Sequence, residues 1–323
     1  MAPPLPTSTD AQILQARSAK NSVDPRRPYG FLVEPEYQPN GRVESVATLF
    51  LTNRECPFRC LFCDLWRNTT DDRVPVGSIP AQIDFALDKL DPAPHIKLYN
   101  SGNFFDRQAI PPEDHISIAQ RMHGFDTVIV ENHPSLCDDA CVRFRDQIAT
   151  QLEVAMGLET VHPEILRRLN KRMTTGDFSN ASERLVSQDI RVRAFILVRA
   201  PFMTEDEGIE WAIRSMEFAF DSGVQCCSLI PTRGGNGVME SLAAGNDFTP
   251  PTLDSLEEVF DAGLAIGRGR VFVDLWDIAK LARCPRCGPP RTRRLQKMNL
   301  QQQRLPRVEC DCLCSRLAPP RRA

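Results

Sequence analysis

Several things are missing from this sequence, and each absence narrows what it can be. No stretch approaches the roughly 18 to 20 consecutive apolar residues of a membrane span, so no membrane partner is expected. The N-terminal run MAPPLPTSTDAQILQARSAKNSVDPRRP has no apolar segment of the kind a secretory signal carries. The chain is therefore expected in the cytoplasm, where thiols stay reduced and available to metals. Net charge is only −3, which gives no global reason for a polyanionic partner; any basic region must be local. No repeat of solenoid period is present. The last absence is the most informative. In CPFRCLFCDLW, Cys56, Cys60 and Cys63 stand close together, yet the next cysteine is Cys137. Structural zinc normally takes four ligands and iron–sulfur clusters usually take four thiolates, so the triplet is one donor short of either.

What is present is a chain of 323 residues, long enough for one large core or two smaller ones. Its twelve cysteines fall in clusters at 56/60/63, 137/141, 226/227, 284/287 and 310/312/314. Such close spacing suits metal ligation better than a disulfide framework.

Residues 1–42, rich in Pro, Arg and polar side chains, read as an arm lying on the domain or disordered. From residue 43 apolar runs alternate with amphipathic stretches. The runs at 45–52, 95–100, 127–132, 152–160, 191–199 and 224–232 are each followed by a helical pattern, and RVFVDL adds a strand at 270–275. Strands alternating with helices predict a parallel sheet covered by helices. Six such units, curved, make a partial (β/α)6 barrel over residues 43–281 rather than a closed eightfold one. After residue 282 the composition becomes basic and Cys-rich, which predicts a small C-terminal metal-binding module over 282–323.

The spacing Cys56-x3-Cys60-x2-Cys63 resembles the signature of the radical S-adenosylmethionine (radical SAM) superfamily, with Phe62 as the aromatic before the last cysteine. The resemblance implies that the three thiolates hold a [4Fe–4S] cluster and that SAM chelates the fourth iron. One electron then cleaves SAM to methionine and a 5'-deoxyadenosyl radical, the species that attacks the substrate. The missing fourth cysteine thus leaves a coordination position for the cofactor.

In such architectures function gathers at the C-terminal ends of the strands. Ser101, Gly102 and Asn103 end the second strand where the superfamily places a Gly-containing turn against SAM, although its usual Gly-Gly-Glu is absent here. An ordinary turn is the plainer reading of the same residues. Glu159 ends the fourth strand as a candidate SAM ligand or a salt-bridged carboxylate. Glu131 and Asn132, Arg199, and Thr232 with Arg233 end other strands; Arg199 and Arg233 suit a carboxylate or a phosphate. His133 and His162 read as surface or capping residues, and Cys137 and Cys141 as core. Cys226 and Cys227 alternate across a strand, so at least one is packing.

The segment GLETVHPEILRRLNKRM, with Asn170–Lys171, Pro201–Phe202, Thr204–Glu205 and Pro250–Pro251, looks like the branch of elongator-type and methylthiotransferase enzymes. It is most similar to the radical SAM subunit of archaeosine synthase, over about residues 45–265. That family splits a C–N bond in a lysine adduct on a tRNA base.

In the C-terminal segment Cys284, Cys287, Cys310 and Cys312 read as a four-thiolate zinc site, with Cys314 spare and a second iron–sulfur cluster as the rival. Arginines crowd the segment, favouring phosphate contact. The combined expectation is a radical SAM enzyme in which Phe62, Ser101, Gly102, Asn103, Glu159 and Arg199 help seat SAM. Its substrate is expected to be a tRNA base and its electron source a reductant protein. The alternatives are a radical SAM enzyme acting on a small metabolite or protein, and a zinc-bound nucleic-acid-binding protein with an inactive barrel.

Overall fold

The structure is a computed structural model that describes residues 8–309. Eight strands form one sheet in sequential order, β1 (Gly30–Tyr37), β2 (Val43–Phe50), β3 (His95–Tyr99), β4 (Thr127–Glu131), β5 (Gln151–Glu159), β6 (Arg191–Val198), β7 (Cys226–Pro231) and β8 (Arg270–Val273). The pairs from β2 to β8 are all parallel, and only β1 runs antiparallel, against β2. The helices are α1 (Asp10–Gln15), α2 (Ser78–Leu87), α3 (His115–Met122), α4 (Asp139–Ile148), α5 (Pro163–Arg168), α6 (Thr175–Ser187), α7 (Glu205–Asp221), α8 (Val238–Ala244), α9 (Leu253–Ile266) and α10 (Gly288–Gln301). The sequence pattern sets their starts: Thr174 and Thr204 cap α6 and α7 in reciprocal capping boxes with Asp177 and Glu207.

The sheet is curled. In a flat sheet β1 and β6 would lie about 24 Å apart, five spacings of about 4.8 Å. Yet Arg193 of β6 reaches Glu36 of β1 at 2.7 Å, and Glu153 of β5 at 2.6 Å. Arg270 of β8 bonds Glu153 at 2.9 Å, and Lys97 of β3 bonds Glu36 at 2.5 Å. These five buried charges close the interior near the N-terminal ends of the parallel strands. Opposite signs at hydrogen-bond distance offset the cost of taking them out of water. The outward faces of the strands carry Val, Ile and Leu into the main core beneath the helices. The result is the partial α/β barrel that the alternation predicts.

Two segments differ from the sequence expectation. Residues 30–37, expected within an arm, form β1. Pro35 and the glutamates at 34 and 36 disguise it, but an edge strand tolerates proline and the glutamates meet interior cations. Residues 288–301, expected in a module standing apart, form α10, which packs on β8 and β1 across the open side of the barrel. Its Leu295 and Met298 are fully buried in the main core. The side-chain amides of Asn299 and Gln302 bond both N–H and C=O of Val273 and Val271, filling the unpaired edge of β8.

Candidate active site

The triplet lies on the loop that leaves the C-terminal end of β2, at the mouth of the barrel. Several neighbours hold that loop by its backbone. Leu61 N–H donates to Leu169 O at 2.9 Å, and the Asn170 side chain donates to Arg59 O at 2.8 Å. Across the mouth, the Asn236 amide donates to Leu61 O at 2.7 Å and to Cys63 O at 3.3 Å. Arg67 bonds Gly235 O in the same glycine-rich loop. The N-terminal segment closes the outer side: Arg17, Lys20 and Arg59 all reach Glu55, at 2.7, 2.8 and 3.0 Å. Ile13 of α1 is buried against Leu61, Leu169 and Val238. Gly237 makes this approach possible, since a Cβ there would lie 1.9 Å from Ala16 O and the residue sits at φ +91°.

The turn after β3 faces the cysteines. The Asn103 amide donates to Cys56 Sγ at 3.2 Å, and a Cβ on Gly102 would lie 3.3 Å from Cys56 Cβ. The Tyr29 hydroxyl meets Ser101 Oγ at 2.8 Å. Beneath the turn, partly buried Glu131 accepts from Asn100 N–H at 2.6 Å, with the Ser101 and Gly102 amides also directed at it. Burial pushes its carboxyl up to about 7, although the three amides pull the other way.

After β5, Lys171 Nζ bonds Glu159 Oε1 at 2.5 Å, and both are buried. Burial opposes the ammonium charge, but Glu159 and the sulfurs of Cys60 and Cys56 outweigh it and hold Lys171 above its ordinary value. A Cβ on Gly157 would stand 2.0 Å from Glu159 Oε1 and 2.3 Å from Lys171 Nζ, so only glycine leaves room for the pair. Ser101, Glu159 and Arg199 all adopt positive φ (53°, 65° and 56°), at the turns that end β3, β5 and β6. Non-glycine residues rarely do so, and such conformations concentrate at functional sites.

The structure brings most of the expected residues together. Cys56, Cys60 and Cys63, the 101–103 turn and Glu159 share the mouth, and Phe62 packs partly buried beside Ile13 and Leu61. Arg199 is directed elsewhere, bonding Glu205 at the start of α7 and Pro250 O at 3.0 Å. Arg233 pairs with Asp274 at 2.6 Å. His133 and His162 cap the turns that follow them, but His133 is buried rather than on the surface, stacked on Phe58 at 3.9 Å. Cys137, Cys141 and Cys227 lie in the main core, whereas Cys226 lies beside Arg193.

Two residues at the mouth carried no expected role in the sequence. Lys171 appeared only within the Asn-Lys resemblance, and Tyr29 sits in a segment read as an arm; no local signal marks either.

The thiols are suited to a cationic centre. Burial pushes Cys60 up to about 12 and raises Cys56 and Cys63 as well, so thiolates here need positive charge beside them. Lys171 supplies one charge and an iron cluster would supply more. Among the described residues no three His, Cys, Asp or Glu side chains stand together closely enough to hold a metal ion. Cys284 and Cys287 are adjacent, with Cys287 N–H directed at Cys284 Sγ at 3.5 Å. Cys310 and Cys312, the other half of the expected zinc site, lie outside the described residues, as does Cys314. No helix among the described residues is long and apolar enough to cross a membrane.

No family model matches the sequence. Among curated proteins the chain is 23% identical over 313 residues to an uncharacterized protein of Methanocaldococcus jannaschii, covering 90% of this chain and 86% of that one. It is 26% identical over 212 residues to archaeosine synthase subunit beta of Methanosarcina acetivorans, and 27% identical over 171 residues to that of Thermococcus kodakarensis. These matches cover 62% and 51% of this chain but only 60% and 52% of the two relatives. Among solved structures it is similar to Elp3 of Methanocaldococcus infernus (TM-score 0.50, 16% identity, 73% of this chain and 60% of the other). It is similar too to Streptococcus suis SuiB bound to S-adenosylmethionine (TM-score 0.52, 11% identity, 69% of this chain and 48% of the other). The chain thus has the curled α/β barrel of the radical SAM proteins and resembles, in sequence, archaeosine synthase subunit beta.

Proposed function

We propose that the chain is a radical SAM enzyme whose [4Fe–4S] cluster is held by Cys56, Cys60 and Cys63. The observation that carries this reading is the Asn103 amide on Cys56 Sγ, which sets the turn after β3 against the cysteine loop at the barrel mouth. When bound, the cluster and SAM supply one-electron cleavage and a 5'-deoxyadenosyl radical. The residues of this chain bind, orient and shield. The Ser101–Asn103 turn, shaped by Glu131, offers backbone groups to SAM. The Glu159–Lys171 pair places one carboxylate and one ammonium beside the cysteines, able to meet the ammonium and carboxylate ends of an amino acid. Phe62 and Ile13 contribute apolar cover that keeps water from the loop.

The relatives named archaeosine synthase subunit beta support a tRNA base as the substrate. The reading includes action in the cytoplasm and reduction of the cluster by a separate protein. A zinc at Cys284 and Cys287 would also need Cys310 and Cys312, which lie outside the described residues.

The test is anaerobic reconstitution with iron and sulfide, followed by EPR of the reduced protein with and without SAM. A [4Fe–4S] signal that shifts on adding SAM is expected, and replacing any one of the three cysteines with Ala should abolish both signal and SAM cleavage. Retained cleavage in those variants would sink the assignment.

A further inference from the structure

Trp276 is 66% exposed, the most exposed of the large hydrophobic side chains among the described residues. It stands on the turn after β8, at the same end of the barrel as the cysteine loop. Its backbone is held: the Trp276 main-chain N–H donates to Asp274 Oδ1 at 2.8 Å, and the other oxygen of that carboxylate accepts from Arg233 at 2.6 Å. Beside it opens a cleft of about 270 Å³, walled by Pro250, Ile278 and Leu281 and by the indole itself. Three cations, Arg233, Lys280 and Arg283, line the cleft; Lys280 pairs with Asp277 at 2.6 Å, as Arg233 does with Asp274, which leaves one net positive charge over the two carboxylates.

Core packing does not require an indole in this place, since most of its surface is in water. An exposed aromatic face, apolar walls and an excess of cations are the chemistry of a stacked base with phosphates on either side. The cleft also adjoins the mouth. Arg233 and Gly234 line it, and Asn236, two residues further on, bonds the carbonyls of Leu61 and Cys63.

We propose that Trp276 and this cleft form the subsite on which an unpaired nucleotide of an RNA substrate stacks, with Arg233, Lys280 and Arg283 contacting its phosphates. The proposal rests on the reading of the chain as an RNA-modifying enzyme and assigns that reading a surface. Stacking on one aromatic residue accounts for roughly 5- to 150-fold in affinity, and each lost phosphate contact lowers the salt dependence.

The test uses the full-length reconstituted protein and unmodified tRNA transcript, with affinity read by fluorescence anisotropy at two salt concentrations. Trp276→Ala should weaken binding at least fivefold, and Trp276→Phe should restore most of the loss. The double variant Lys280→Glu/Arg283→Glu should bind more weakly and with a shallower salt slope. The EPR shift on adding SAM should be unchanged in all three, which shows that the barrel is intact. Wild-type binding that Trp276→Ala leaves untouched would overturn the subsite while leaving the RNA reading in place. Failure of the wild type to bind tRNA would overturn the RNA reading and the subsite with it. Quenching of Trp276 fluorescence by a mononucleotide, without tRNA binding, would reassign the cleft to a free nucleotide and likewise overturn the proposal.

Discussion

Glu131, at the end of β4, accepts the backbone N–H of Asn100, at the end of β3, at 2.6 Å. A carboxylate on one strand thereby shapes the turn that closes its neighbour. Desolvation pushes this carboxyl up to about 7 in the folded protein from its ordinary 4.5. Between those values the unfolded chain has released the proton that the folded chain retains, so stability falls as pH rises through the window. The whole displacement corresponds to about 3 kcal/mol. Glu131→Gln keeps an oxygen for the amides and cannot ionise. Urea denaturation at pH 5 and pH 8 should show the variant gaining on the wild type at the higher pH; a constant difference would contradict the assignment.

The pair of Glu159 and Lys171 is buried, so removing one partner strands the other. Lys171→Met and Glu159→Gln should each destabilise the protein by about 3 to 5 kcal/mol in chemical denaturation. The double variant should recover part of that loss, because no uncompensated charge remains. Additive losses would show that the two side chains do not act as a unit.

Gly237 lies against Ala16, so the N-terminal segment depends on it. Gly237→Ala should lift α1 from the cysteine loop, both by the clash with Ala16 O and by the unfavourable positive φ. Hydrogen exchange over residues 8–20 should accelerate in the variant, while exchange in β4 and β5 stays slow. Ile13→Ala, which removes a buried side chain of the same segment, should cost about 2 to 5 kcal/mol.

Arg193 bridges Glu36 and Glu153 in the barrel interior. Arg193→Met should be more destabilising than the surface change Arg214→Met, by about 3 kcal/mol or more, since it leaves two buried carboxylates sharing fewer cations. Comparing the two melting temperatures checks this directly.

The barrel was legible because its outward strand faces are runs of Val, Ile and Leu, and each is followed by a helix pattern, several of them opening on Thr, Asp or Pro. The close spacing of the three cysteines was visible in the sequence, and the fold puts them on the loop after β2. The interior charges were present in the text too: Lys97, Glu153, Arg193 and Arg270 each interrupt an apolar strand at an inward position. They were overlooked because single charges in strands have no partner until the sheet curls. Arg199 has a partner the sequence did not mark, for a related reason. Its place at a strand end was visible, but a positive φ turns the chain there, and Glu205 lies close enough to take the guanidinium. The basic segment looked separate because its composition hides two apolar anchors, Leu295 and Met298, one helical turn apart. Three of its arginines, Arg291, Arg294 and Arg307, are spent on Asp254, Glu257 and Asp261 of α9 rather than offered to phosphate.

The amides of Asn299 and Gln302 bear on how this protein can be shortened. Removing everything after residue 281, the obvious way to ask whether the basic tail binds RNA, would also uncap β8 and leave its edge free to pair with another molecule. Lost binding would then report aggregation as readily as recognition. Arg294 bonds the carbonyls of Leu305 and Pro306, so the helix is anchored through that point. A shortened protein that still folds should keep its residues at least that far, and only a cut beyond 306 asks the tail a clean question.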